Sequence, residues 1–476
     1  MTTKLSAGEW FTAWCDDGYP RPMLCRPAWL DLGGEWQFAP DPEEIGTQRG
    51  WHRDDHPFAH TIQVPFPPGS ELSGVAAEHA VDVVWYRRTV TAEELAHLAD
   101  GDVLLLHFEA VDYRADVWVD GQHAATHEGG FTPFTVQLER GTEPVTVVVR
   151  AEDRREDLSQ PRGKQDWRET AHGIWYERSN GIWRDVWMEA VPRAHVSELR
   201  WDSDLDAATV RCELTFSGWL APGATASVDL ALDGAPLTRA EVAVSGPTAE
   251  VTLHLPELRN RMEWSGLVWS PETPTLLDAT VRLRTQAATD EVVSYVGLRK
   301  VEVEGQYLRV NDRPTYVRAV LDQGYWAQSY LTPPSPDALR VDLQLSKDLG
   351  FNTVRIHQRV PDRRFLTWAD RLGLEELSRG PLPDAVACMN DLLAFGTLRA
   401  CAELGIDVPG RLLVTGWDDI ALSRFSVPSI TTVSPDKSAI AQQAVDGLLG
   451  LIDGDDVNLA DVVVPHSLVV RESTDR

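Results

Sequence analysis

The stretch from Asn352 to Leu374, NTVRIHQRVPDRRFLTWADRLGL, constrains the fold most, because it continues a βα series that the remaining chain has little room to complete. Thr353–Ile356 is a short β-favouring run, and Arg363–Leu372 places Phe365, Leu366, Ala369 and Leu372 at helical spacing. With Tyr316–Leu321 as a preceding strand and Asp337–Leu349 as a helix closed by Gly350, two consecutive βα units and a parallel sheet are predicted. A closed eight-unit barrel needs roughly 250 residues. Of the 476 residues only about 160 follow the first strand, so the arithmetic is against a complete barrel.

Upstream the pattern is different. Short alternating or β-branched runs occupy Val81–Thr91, Val103–Phe108, Ala115–Val119, Phe131–Leu138, Val145–Arg150 and Ile182–Glu189, separated by turn signals such as Asp120-Gly121. Strands at this spacing without long helical patterns predict a jelly-roll β-sandwich. A second set, Thr209–Phe216, Ser227–Leu232, Glu250–Leu255 and Asp278–Thr285, is punctuated by Pro222-Gly223 and Asp233-Gly234 and predicts an immunoglobulin-like sandwich. Trp85, Trp118, Trp183 and Trp187 lie inside strand-like runs and are expected in the core, whereas Arg162, Lys164, Gln165 and Asp166 lie on a polar loop suited to a hydroxyl-rich ligand.

Five runs in this region, WYRR (Trp85–Arg88), HFEAVDYRADVWVDG (His107–Gly121), HEGGFTPF (His127–Phe134), PRGKQDW (Pro161–Trp167) and IWYERSNGIWRDVWME (Ile174–Glu189), resemble the sugar-binding domain of glycoside hydrolase family 2, the β-galactosidase and β-glucuronidase family. LVWSPETPTLLDATVRL (Leu267–Leu283) resembles the end of that family's middle sandwich, and VGLRKVEVEGQYLRVNDRPTYVRAVLDQG (Val296–Gly324) resembles the entry into its TIM barrel. The resemblance implies a carbohydrate ligand and nominates Arg355, His357 and Trp326 as pocket-lining residues. It also implies a loop carboxylate six positions before Gly181, where this chain has Trp175.

Retaining glycoside hydrolysis needs two carboxylates about 5 to 5.5 Å apart. The family supplies both as glutamates from later barrel strands, one directly after an asparagine, and no Asn-Glu dipeptide occurs in this chain. No catalytic residue is therefore assigned. Glu375 and Glu376, which follow Leu374, are read as surface charge.

Beyond Leu374 a different resemblance begins. Pro383–Gly454 and Ser467–Thr474 resemble the C-terminal end of the lac-repressor family, sugar-responsive regulators on a periplasmic-binding-protein fold. Strands at Ala385–Ala387, Leu412–Thr415, Val462–Val464 and Leu468–Val470 and helices at Leu392–Leu404 and Ser438–Ile452 make this region α/β. The resemblance nominates Asn390 and Asp418 as effector contacts, while as isolated Asx residues both suit helix or turn caps. The apolar face of the last helix (Ile440, Ala444, Leu448, Leu451, Ile452) needs cover, and an open sheet shared with the barrel-like units is one predicted solution.

The expected architecture is thus a multidomain β plus α/β protein: a jelly-roll over 1–192, an immunoglobulin-like sandwich over 193–297, an incomplete TIM-barrel start over 298–374, and a partial periplasmic-binding-protein-like α/β unit over 375–476. A formal net charge of −29 argues against DNA or an anionic membrane as partner. Five scattered cysteines, Cys15, Cys25, Cys212, Cys388 and Cys401, lack metal-ligand spacing and fit free thiols in a cytoplasmic protein, with no metal or cofactor implied. Three functions remain compatible: a non-hydrolytic carbohydrate-binding remnant of a glycosidase, an active O-glycosyl hydrolase alone or by complementation, and a sugar-responsive transcription regulator.

Overall fold

The computed structural model describes residues 18–475 except 54–57, 77–79, 99–100, 142, 260–265, 305–306, 377–384, 389, 404 and 454–463. Cys15 and most of the predicted strand Val462–Val464 lie outside the described residues. The chain divides into two compact units, Met1–Ser378 and Arg379–Arg476.

The first unit opens with a β-sandwich. Its four-stranded sheet runs in the order Trp29–Asp31, Val186–Val191, Val103–Phe108, Phe134–Glu139. The facing six-stranded sheet runs His60–Val64, Gly34–Pro40, Val83–Val90, Val145–Glu152, Arg114–Val119, Gln122–Glu128. All these ladders are antiparallel. Leu104, Leu106, Phe108, Tyr86, Val117, Val149 and Met188 meet between the sheets. The four strand tryptophans are all buried, Trp85 and Trp118 stacking at 5.3 Å on the outer face of the larger sheet. Asp120-Gly121 turns with φ of 50° and 74°, the two positive values a tight hairpin requires. The predicted run Ile182–Glu189 is interrupted: Gly181–Ile182 pairs with Val111–Asp112, and the Trp183 indole turns inward to donate to Gly130 O at 2.7 Å before pairing resumes at Val186.

A second sandwich follows, with sheets His195–Asp204/Thr209–Ser217/Thr248–His254 and Ala235–Ala243/Thr225–Leu232/Leu277–Arg284/Thr289–Val296. Val210, Cys212, Leu214, Val228, Leu230, Val251, Val281 and Leu283 alternate into its core, and burial pushes the Cys212 thiol up to about 12. Arg26 bonds Glu189 of the first sandwich at 2.9 Å and grips both carboxylate oxygens of Asp290 in the second, at 2.9 and 2.8 Å.

After a hairpin sheet (Val301–Glu304, Tyr307–Val310, Arg313–Thr315), three parallel strands appear: Ala319–Asp322, Thr353–Ile356 and Glu375–Glu376. Helices Pro336–Asp348 and Arg363–Leu372 accompany them, burying Leu339, Leu343, Val354, Phe365, Ala369 and Leu374. The first strand begins at Ala319 rather than Tyr316 because the Asn352 amide occupies the backbone there, accepting from Arg318 N at 2.8 Å and donating to Tyr316 O at 3.0 Å. Glu375–Glu376, expected as bare surface charge, extends the parallel ladder by a third strand. Tyr316, Leu345 and Leu349 remain exposed around this short sheet.

The second unit has its own sheet: Ala385–Ala387, Leu413–Trp417 and Thr431–Pro435 parallel, with His466–Val469 antiparallel at the end. The sheet shared with the barrel-like strands is therefore not formed among the described residues, since each set pairs only with its own members. Helix Asp391–Glu403 contributes Ala394, Leu398 and Cys401 to a small core with Leu412, Val414 and Ile430. On helix Lys437–Asp453, Ile440, Val445, Leu448 and Leu449 are exposed. No helix among the described residues is long and apolar enough to cross a membrane.

Candidate functional site

Parallel pairing sets the geometry of the first unit's site. Ala319 faces Thr353 and Asp322 faces Ile356, so the two strands end level and their following loops leave side by side at the C-terminal edge, where barrels and open α/β sheets carry ligands. His357 N continues the ladder to Asp322 O at 2.9 Å. Arg355 and His357, two apart on one strand end, project to the same side. Arg355 is exposed and His357 half-buried, and neither forms an ion pair among the described residues.

The loops around them are tightly built. Arg359 bonds Asp322 at 2.6 Å and lies 4.9 Å from the Phe365 ring, which neutralises the nearest carboxylate. Gly324 has φ of +56°, and a Cβ there would stand 2.3 Å from the Arg359 guanidinium. Helix Arg363–Leu372 starts on Asp362, whose carboxylate accepts from Arg364 N at 2.8 Å and from its guanidinium at 2.7 and 3.0 Å. Arg364 also binds Asp185 of the first sandwich, and Arg184 donates to Val360 O. Burial pushes the Asp185 carboxyl up to about 6 against the opposing pull of Arg364.

One wall comes from the sandwich. Gly163, at φ +61°, lies so close to Gln358 that a Cβ would sit 2.2 Å from its carbonyl oxygen. Tyr176 donates its hydroxyl to Gln323 Oε1, its ring stacks on Tyr325 at 4.3 Å, and the Tyr325 hydroxyl donates to Glu177 O at 3.0 Å. Gly163→Ala is expected to push loop 161–166 off Gln358 and cost about 1–3 kcal/mol, from positive-φ strain and the backbone clash. Faster amide exchange confined to residues 161–166 and 357–360 checks this; unchanged exchange there refutes it.

This contact sorts the polar loop residues. Gln165 is buried, donating to Asp112 Oδ2 at 2.8 Å and accepting from Ser179 N at 2.5 Å. Asp166 is buried and accepts from Arg168 N and His172 N at 3.0 and 2.7 Å. Arg162 donates to the carbonyls of Arg155 and Asp157 at 2.8 and 2.6 Å. These three are engaged in bonds that build the loop, although their polarity alone suited a hydroxyl-rich ligand. Lys164 differs: its ammonium lies 5.0 Å from the centre of the Trp175 ring, with no carboxylate partner among the described residues. Burial lowers the His357 pKa, and the charges of Arg355 and Lys164 lower it further.

Trp326 closes a turn of its own. Its N–H and C=O close a bridge with Tyr330 at 2.8 Å each, and its half-buried ring packs on the βα core. The loop carboxylate absent at Trp175 is replaced by an indole that contacts Trp167 at 5.2 Å.

In the second unit Asn390 and Asp418 follow the ends of parallel strands Ala385–Ala387 and Leu413–Trp417. Both make local bonds. Asn390 Oδ1 accepts from Leu393 N at 2.8 Å, capping helix Asp391–Glu403, and Asp418, at φ +105°, donates its N–H to Val433 O at 2.9 Å while its carbonyl accepts from Lys437. The residue that organises this edge is buried Asp391, which accepts from Ile420 N at 2.8 Å, Ser423 Oγ at 2.5 Å and Thr432 Oγ1 at 2.5 Å.

With this geometry in view, comparison with known proteins separates the chain's two ends. The Lactobacillus rhamnosus β-glucuronidase structure superposes with a TM-score of 0.58 at 23% identity, over 74% of this chain and 58% of that one. A β-glucuronidase of Paenibacillus borealis is 34% identical over 139 residues, 28% of this chain and 22% of the relative. Residues 344–474 match the family described as periplasmic binding protein-like domain, and the Streptomyces coelicolor HTH-type transcriptional regulator MalR is 42% identical over 90 residues, 19% of this chain and 26% of that protein. The chain is glycosidase-like in front and periplasmic-binding-protein-like behind. The domain match begins within helix Pro336–Asp348, upstream of Leu374. The chain spans less than two thirds of the length of each of these relatives.

Proposed function

We propose that this is a carbohydrate-binding protein of the family 2 glycosidase type that does not hydrolyse glycosides by itself. One observation carries the reading: Arg355 and His357 stand at the end of the second parallel strand, near a sandwich loop, and the carboxylate at the end of the first, Asp322, is bound to Arg359. A retaining mechanism requires opposed, separately tuned carboxyls, which this arrangement does not supply. Arg355, His357 and the aromatic wall of Tyr176 and Tyr325 suit hydroxyl recognition and ring contact. Trp326, Asn390 and Asp418 then act through the shape of their loops. The four-part division at 192, 297 and 374 and a cytoplasmic location belong to the same reading.

One observation favours the alternative of an active hydrolase. Burial raises the Asp342 carboxyl, and Asp322 raises it further. A panel of nitrophenyl β-glycosides, including the glucuronide and galactoside, tests both. No nitrophenol release above a heat-killed control is expected from the purified chain, and release abolished by Asp342→Asn would establish the hydrolase instead.

A further inference from the structure

The joint between the first sandwich and the second βα loop shares one cation between two acids. Asp185, which follows the short strand Gly181–Ile182, binds the Arg364 guanidinium on helix Arg363–Leu372, and the same Nη2 also donates to Asp362 Oδ2 at 2.7 Å. The rest of that guanidinium is committed, Nε to Asp362 Oδ1 and Nη1 to Gly18 O, each at 3.0 Å. The other charged groups at the joint supply no second cation to Asp185. Glu109, whose N–H donates to Asp185 O at 3.0 Å, and Asp31 are acids; Arg363 stands 3.8 Å from Glu109, Arg184 donates to Val360 O, and Arg359 is bound to Asp322. Among the described residues Arg364 alone is within ion-pair distance of Asp185. The two acids differ in access to protons, since the Asp185 side chain is 20% exposed and that of Asp362 only 8%. Burial raises Asp185 to about 6 against Arg364, with the charges of Asp362, Asp31 and Glu109 adding to it, whereas at Asp362 burial is outweighed by Arg364, which holds it at about 2.

We propose that Asp185 is a proton-operated latch: with a proton on Asp185 the sandwich closes on the βα loop, and with Asp185 and Asp362 both ionised on one guanidinium nitrogen the joint loosens. The loop so held carries Gln358, against which Gly163 lies, so the latch also sets how firmly loop 161–166 is seated at the strand end. A carboxyl raised on docking contributes to the closed form fully below its free value, about 3.9, and loses that contribution as pH rises through about 6. The closed joint is thus favoured in acid, in full by roughly a hundredfold, tenfold for each pH unit between the two values.

Hydrogen exchange of the full chain at pH 5 and pH 8, corrected for the intrinsic dependence of amide exchange on pH, tests this. Residues 357–366 of the parent are expected to exchange roughly tenfold faster at pH 8 than at pH 5, while 209–217 in the second sandwich show no such difference. In Asp185→Asn, folded by circular dichroism, the difference should vanish, and exchange at pH 8 should stay as slow as in the parent at pH 5. Equal protection of 357–366 in the parent at both pH values would overturn the latch, whether or not the variant folds. So would a pH difference that survives Asp185→Asn, or exchange at pH 8 that is faster in the variant than in the parent, the mark of a permanent ion pair.

Discussion

Arg26→Ala is expected to destabilise the first unit by about 3–5 kcal/mol, because it strands two carboxylates in the interior. The Arg26 guanidinium bonds Glu189, both oxygens of Asp290 and Val196 O, all beyond the reach of solvent. Burial alone would raise the Glu189 carboxyl; Arg26, with help from His107, outweighs it and holds the group at about 2. A depressed carboxyl contributes stability that is fully present above its unfolded pKa, about 4.3, and is lost as pH falls toward the folded value. The cost of Arg26→Ala should therefore be largest at neutral pH and shrink below about pH 4. Urea unfolding followed by tryptophan fluorescence measures it. A variant within 1 kcal/mol of the parent at pH 7 would refute the account, and Arg26→Lys, which keeps the charge but not the fork, should fall between.

Asp391→Ala is the corresponding experiment in the second unit. It removes one buried carboxylate and leaves the Ile420 N–H and the Ser423 and Thr432 hydroxyls without their acceptor. The hydroxyls can turn to other acceptors and the N–H cannot, so a loss of about 3 kcal/mol is expected. Gly416 packs so closely on Asp391 that a Cβ there would lie 2.1 Å from Oδ1, so position 416 suits only glycine while this carboxylate is present. Hydrogen exchange over residues 413–435 should accelerate while the first unit's sandwiches keep their protection. Equal protection in parent and variant would show that Asp391 is not the organising group.

Both effects are invisible to local sequence reading. Arg26 and Asp290 are separated by 264 positions, and nothing about either residue alone reveals the other. Turns were legible because they depend on a few adjacent dihedrals: Asp120-Gly121 and Asp233-Gly234 both have positive φ at the pairs where the sequence placed a break. The strands Val103–Phe108, Thr353–Ile356 and Ala385–Ala387 and the helix Arg363–Leu372 match their predicted limits, since each is bounded by its own breakers and carries one clear period. Tyr316–Leu321 was misplaced by three residues because a side chain 36 positions away, Asn352, binds the Tyr316 carbonyl.

The same division holds for the site. The sequence alone determined that the second of two βα units carries Arg355 and His357 at its strand end, that no Asn-Glu pair follows, and that the polar loop Arg162–Asp166 precedes a Trp175 where a carboxylate was expected. Only the tertiary structure decided that Gln165 and Asp166 are consumed in building that loop, while neighbouring Lys164 lies over the Trp175 ring with no carboxylate partner among the described residues. Polarity belongs to a residue, but whether its hydrogen bonds are already taken depends on partners such as Asp112, 53 positions away, that only packing brings within reach.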